Sequence, residues 1–144
     1  MLNGNEFATM AGVYPALATL PPAEHVRAEQ AVYRRLGAVM PPYMQALIAS
    51  FLPVLLLERD RRSPAFRLTL AGAACYAVML GVTATRNLPL NARIVALPPD
   101  ESSVAEFRAL QGRWNRLHAA RNALNVIGLV LTSLGALPSA RPQR

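Results

Sequence analysis

The chain has 144 residues, one domain's worth, of which 53% are hydrophobic and only 16% charged. A soluble domain carries about a quarter charged residues. Here long uncharged stretches alternate with short Arg-rich ones, and this block pattern points to a bilayer rather than to water as the solvent. The net charge of +7 does not indicate nucleic acid, because the basic residues form no stripe beside aromatics. All 15 cationic residues are Arg, a bias that a GC-rich genome explains and that implies no mechanism. The single cysteine, Cys75, lies in an apolar run, which excludes a disulfide framework, a redox CxxC pair and a multi-thiolate zinc site.

In chain order, the first apolar segment is residues 1–23, whose one charge is Glu6. It lacks a basic leader and so makes a poor signal peptide. The expectation is a first spanning helix over about residues 4–20, either short or begun late, with Met1 inside a longer reading frame. A lone carboxylate in such a helix needs a partner; Arg121 and Arg86 are the guanidinium candidates, and His118 is a candidate proton acceptor.

Residues 22–40 come next. Pro21, Pro22 and Glu24 suit a helix start, and Ala28, Val32 and Leu36 recur on one face. The expectation is an amphipathic helix at the interface between the first two spans. An extension of the second span reads equally well.

The second span is 36–57, free of charge over 22 residues and bent by Pro41, Pro42 and Pro53. The loop 58–67 then puts Arg59, Arg61, Arg62 and Arg67 in a tight turn. Short Arg-rich loops stay cytoplasmic, and Arg141 and Arg144 agree. The expected location is the cell membrane, multi-pass, with this loop and the C-terminus cytoplasmic and the segments 21–35 and 87–117 outward.

The third span covers about 67–86 and the fourth about 118–138. The whole forms a single all-α integral membrane domain over residues 1–144, a transmembrane four-helix bundle. Between the last two spans lie the residues that could carry chemistry. In RNLPLN, residues 86–91, Asn87 and Asn91 flank Pro89; they either stop the helix or line a polar pocket at the membrane edge. Trp114, His118, Arg121 and Asn125 are spaced four, three and four apart, so on a helix they share one face. Arg121 lies two residues before an uncharged run, where a charge faces the bundle interior or snorkels. Interfacial anchoring is the competing reading for Trp114, His118 and Arg121. No metal site, phosphate loop, GxSxG or dinucleotide fingerprint is legible.

These segments together (GNE near the start, VYPAL, YRRLGAVMP, NLPLN and RWNRLHAARN) resemble the anthrone oxygenase family from Gly4 to about Leu137. The resemblance implies small four-helix membrane enzymes that oxidise anthrones to quinones with O2, using no metal, flavin or other cofactor. It implies His118 as general base and Arg121 as oxyanion stabiliser. Asn87, Asn91, Trp114, Glu6 and Asn125 are then substrate-binding. The implied partners are a lipid bilayer, a hydrophobic aromatic molecule and O2, and no nucleic acid; the oligomeric state, a homo-oligomer included, stays open. Family members carry more apolar residues ahead of Gly4 than this chain does. Two other classes compete: a non-catalytic bundle, structural, binding or transporter-associated, and a quinone- or haem-binding electron carrier, which the shortage of histidines disfavours. An oxygenase needs a cavity containing His118 and Arg121. A structural bundle packs Gly72, Ala73, Ala74, Gly81 and Gly128 together and leaves none.

Overall fold

The computed structural model describes residues 2–137. Among them it is all-helical, with four long helices in sequence. Helix α1 covers 2–17, α2 Pro22–Leu57, α3 Pro64–Ala96 and α4 Val104–Ala136. A short 3-10 turn, Glu101–Ser103, leads into α4.

Two helices, α2 and α3, are long and apolar enough to cross a membrane. Helix α1 rises about 24 Å at 1.5 Å per residue, and α4 interrupts its apolar run with buried Arg121, Asn122 and Asn125. The arginines Arg141 and Arg144, on which the expected orientation partly rested, lie outside the described residues, as does Met1.

The structure corrects three expectations. Residues 22–35 are not a separate interfacial helix; they are the first turns of α2, which continues unbroken to Ala49. Nothing between Pro22 and Met40 breaks a helix. The inward face is Val26, Glu29, Gln30 and Tyr33, not Ala28, Val32 and Leu36. Second, the chain does not stop at Asn87–Asn91 but runs on to Ala96. Third, α3 begins at Pro64, capped by the Ser63 hydroxyl, which accepts from the Phe66 amide. Arg67 is therefore on a helix rather than in the turn.

The α3 continuation has a local cause. Proline lacks an N–H and its ring clashes with the carbonyl four residues back. Just before Pro89 the helix widens into a π turn, Thr83–Asn87, and the Leu88 amide bonds the Thr83 carbonyl. Helix α1 repeats the device: a π turn at Thr9–Val13 precedes Pro15, and the Tyr14 amide bonds the Thr9 carbonyl. Each extra residue re-aims the side chains of the next turn. In α1 the inward series Leu2, Glu6, Thr9 passes to Tyr14, while Val13 is left exposed.

Helices α3 and α4 pack most closely. A Cβ on Gly72 would lie 2.5 Å from the Thr132 methyl and 2.9 Å from the Gly128 carbonyl, and one on Gly135 would lie 2.9 Å from the Ala65 carbonyl. Small residues let the two backbones touch. At the other end of the bundle, Tyr14, Val26, Tyr33, Ile94, Phe107, Leu110 and Trp114 form an apolar core. There the Gln30 amide donates to the Ile94 and Leu97 carbonyls at 3.0 and 2.9 Å, satisfying the end of α3. Outside, Leu52, Leu56, Leu57, Val78, Val126, Ile127 and Val130 are exposed.

Gly72→Ala is expected to lower stability by about 1–3 kcal/mol through overpacking. Gly81→Ala, at a helix-interior site with nothing within 4 Å, should not lower it. Thermal melting in detergent compares the two.

Candidate active site

Helix α4 turns the Trp114, His118 and Arg121 column inward, and all three side chains are buried. Helix α1 faces them with Glu6, itself 4% exposed. The Arg121 Nη2 donates to Glu6 Oε1 at 2.7 Å. The His118 Nε2 lies 3.2 Å from the Glu6 backbone carbonyl, and its Nδ1 lies 3.3 Å from Glu6 Oε2. A carbonyl only accepts, so Nε2 carries the hydrogen and Nδ1 is the basic nitrogen. Close as they are, Nδ1 and Oε2 are not aligned as a hydrogen bond, and among the described residues neither has a partner. Of the two guanidinium candidates for Glu6, Arg121 holds it; Arg86 is exposed.

Aromatic rings fix the imidazole. Trp114 stacks on His118 with centroids 4.4 Å apart and planes at 22°, and Tyr14 meets Trp114 edge-on at 4.8 Å. Trp114 Nε1 donates to Asn91 Oδ1 at 2.8 Å. The indole is thus a buried support for His118 rather than an interfacial anchor.

A cavity of about 120 Å³ opens beside this cluster. Glu6, Thr9, Thr83, Asn87, Asn91, His118 and Arg121 give it a polar wall; Leu36, Met40, Met44, Leu80 and Leu88 give it an apolar one. Both π turns contribute, through Thr9 and through Thr83 and Asn87. Asn87 is 1% exposed, and among the described residues neither amide atom has a partner. Buried polar groups are normally hydrogen-bonded, so this amide offers a donor and an acceptor to a ligand. Gly37, Ala84 and Leu88 line the cavity and are exposed, which marks its mouth as lying between α2 and α3.

Of the sequence candidates, Glu6, Asn87, Asn91, Trp114, His118 and Arg121 converge on this cavity. Asn125 does not line it. It is fully buried one turn further along α4, where its backbone carbonyl accepts from the Asn3 amide at 2.8 Å, so the start of α1 fills that level.

Sequence reasoning missed Glu29, Tyr33 and Tyr14. Glu29 is fully buried. Tyr33 OH donates to its Oε1 at 2.7 Å, Gln111 Nε2 donates to its Oε2 at 2.7 Å, and His25 Nε2 lies 3.2 Å from Oε2. Burial raises the carboxyl to about 7, against the opposing effect of the bonds from Tyr33 and Gln111. Burial, with Arg108 nearby, lowers His25. Both shifts favour the neutral forms over a salt bridge. The available signal was the pair Glu29 and Tyr33, four apart on a helix that also carries His25.

Removing Arg121 strands a buried carboxylate, so Arg121→Gln should cost about 3–5 kcal/mol. The double variant with Glu6→Gln should recover part of it, as read by melting. Folded Glu29 binds its proton more tightly than the unfolded chain does. Its contribution is therefore full below pH 4.5 and lost as pH rises to about 7. Across that window the melting temperature of the wild type should fall relative to that of Glu29→Gln.

No curated protein and no solved structure matches the chain. Residues 30–131 match the anthrone oxygenase family. The match takes in most of α2, all of α3 and most of α4, and leaves Glu6, Tyr14, His25 and Glu29 outside it. Since it spans well over half of the 144 residues, the chain belongs to the anthrone oxygenase family.

Proposed function

We propose that this protein is an integral membrane enzyme that oxidises a lipid-soluble, electron-rich aromatic of the anthrone type to a quinone with O2. One observation carries the reading: a small, mostly apolar cavity whose single polar wall places an unpartnered imidazole nitrogen, a guanidinium and an unpartnered amide together. The family membership supports the reaction type. The apolar outer faces of α2, α3 and α4 and the charge-free stretches support the bilayer.

The chemistry asks little of a protein. The acidic C–H of an anthrone loses its proton to a base and leaves an anion spread over the aromatic system and its oxygen. His118 is the base, and Glu6 beside Nδ1 stabilises the imidazolium that forms. Arg121 and the Asn87 amide stabilise the developing oxyanion, and Trp114 keeps the imidazole in place. The electron-rich anion reacts with O2, which is itself enriched in lipid. A mouth between α2 and α3 lets a planar apolar substrate enter from the membrane.

A non-catalytic bundle is the second reading, and the close packing at Gly72, Gly128 and Gly135 suits it. That packing is confined to one end of the α3–α4 pair and does not account for the cavity that Asn87 lines.

With membranes, an anthrone and O2, the wild type should form quinone above the autoxidation background. His118→Ala should lose about 10²–10⁴ of that rate while remaining folded by circular dichroism. Quinone absorbance measures both, and an unchanged rate in the variant removes the base assignment.

A further inference from the structure

The proposed reaction leaves one buried ionisable cluster unused. Glu29 is fully buried, and among the described residues the one basic side chain at ion-pair distance is His25. Both its oxygens accept hydrogen bonds, from Tyr33 and Gln111, so the buried carboxyl is held by neutral donors rather than by a guanidinium. It lies in α2 before the charge-free stretch 36–57, outside the spanning segment. Its neighbours form a line. The His25 side chain is 12% exposed and so reaches water. Tyr33 bonds Glu29 on the other side, and the Tyr33 and Tyr14 rings both line the cavity. Tyr14 OH is buried without a partner among the described residues, with its ring 6.3 Å from those of both Tyr33 and His118. A neighbouring groove of about 350 Å³ is lined by Tyr14, Gln111 and His118 alike, so the two polar networks share a wall.

We propose that Tyr33 and Glu29 form a second proton-transfer site for the cavity, held in exchange with water through His25. The inference rests on the oxidation reading, whose stoichiometry calls for such a site. An anthrone plus O2 gives a quinone plus water, and both hydrogens of one carbon end on the departing oxygen. His118 takes the first as a proton. The anion forms a carbon–oxygen bond to O2, which is reduced to a peroxide anion. Tyr33 passes a proton to that anion as Glu29 passes one to Tyr33 along their hydrogen bond, so no tyrosinate forms. Loss of the second carbon-bound proton breaks the O–O bond and leaves a carbonyl and hydroxide. That proton returns through Tyr33 to Glu29, and the hydroxide takes the first proton from His118 and departs as water. Every proton is accounted for, and both sites are restored.

The groups that set this site are His25 and Tyr33 on α2, Gln111 on α4, Arg108 on α4 near His25, and Tyr14 on α1. Helix α3 meets the region through apolar Ile94. A carboxyl raised to about 7 exchanges protons near neutrality, as a store must.

The test uses wild type, Glu29→Gln and Tyr33→Phe in lipid, with two readouts. In infrared spectra between pH 5 and 9, the wild type should show a protonated-carboxyl band that fades as pH rises through about 7 and is absent in Glu29→Gln. With an anthrone and O2, Glu29→Gln should slow quinone formation at least about tenfold and lose the pH limb near 7. Tyr33→Phe should slow it comparably while keeping a shifted carboxyl band. Glu29→Gln with the wild-type rate and pH profile overturns the proposal, as does an infrared band common to both proteins. If the wild type forms no quinone, the oxidation reading fails. The proton site then stands only if the Glu29 band shifts when an anthrone fills the cavity, and falls if it does not.

Discussion

A carboxylate and a guanidinium 2.7 Å apart, both buried, join the first helix to the last. Neither could be there alone, because an unpaired charge in a low-dielectric interior costs several kcal/mol. The pair therefore sets how α1 sits on α4. Once Glu6 is at that level, its backbone carbonyl meets His118 and its second oxygen faces the basic nitrogen. A stability requirement and a reactive arrangement are met by the same three side chains.

The rest of the site derives from how prolines are accommodated in these helices. Pro15 and Pro89 each come after a π turn, and each π turn delivers side chains to the cavity wall: Thr9 on one side, Thr83 and Asn87 on the other. An α-helical step of four residues overshoots a full turn by about 40°. The wider turn cancels that drift and keeps Thr83, Asn87 and Asn91 aimed at one place. A residue that ordinarily ends a helix here re-registers one. Such π turns recur at functional sites because they re-aim side chains without breaking the backbone ladder.

The molecule divides its packing unequally. Glycines bring α3 and α4 into backbone contact at one end. Aromatic rings fill the other end, and between them the cavity is walled by α2, where Pro41 removes the donor that would bond the Gly37 carbonyl. Rigid α3–α4 packing supports His118, Arg121 and Asn87, while the proline-bearing α2 supplies the apolar wall and one edge of the mouth. Under the proposed function, this divides support from access for a lipid-borne substrate.

Local pattern was enough for several features. Uncharged stretches of about 20 residues, the helical class, the family resemblance and the shared face of Trp114, His118, Arg121 and Asn125 all depend on composition and on a 100° step, which are properties of the chain itself. The need of Glu6 for a cationic partner was legible for the same reason, since burying a charge is costly whatever the fold. Only tertiary structure decided that the partner is Arg121 and not Arg86, that Asn125 falls outside the cavity, and that residues 22–35 belong to α2. It alone revealed Glu29, because a Glu beside Arg27 reads as a solvated surface charge until Tyr33, Gln111 and the core around Phe107 close over it. Burial is a property of what the neighbouring helices cover, and no periodicity within one helix encodes it.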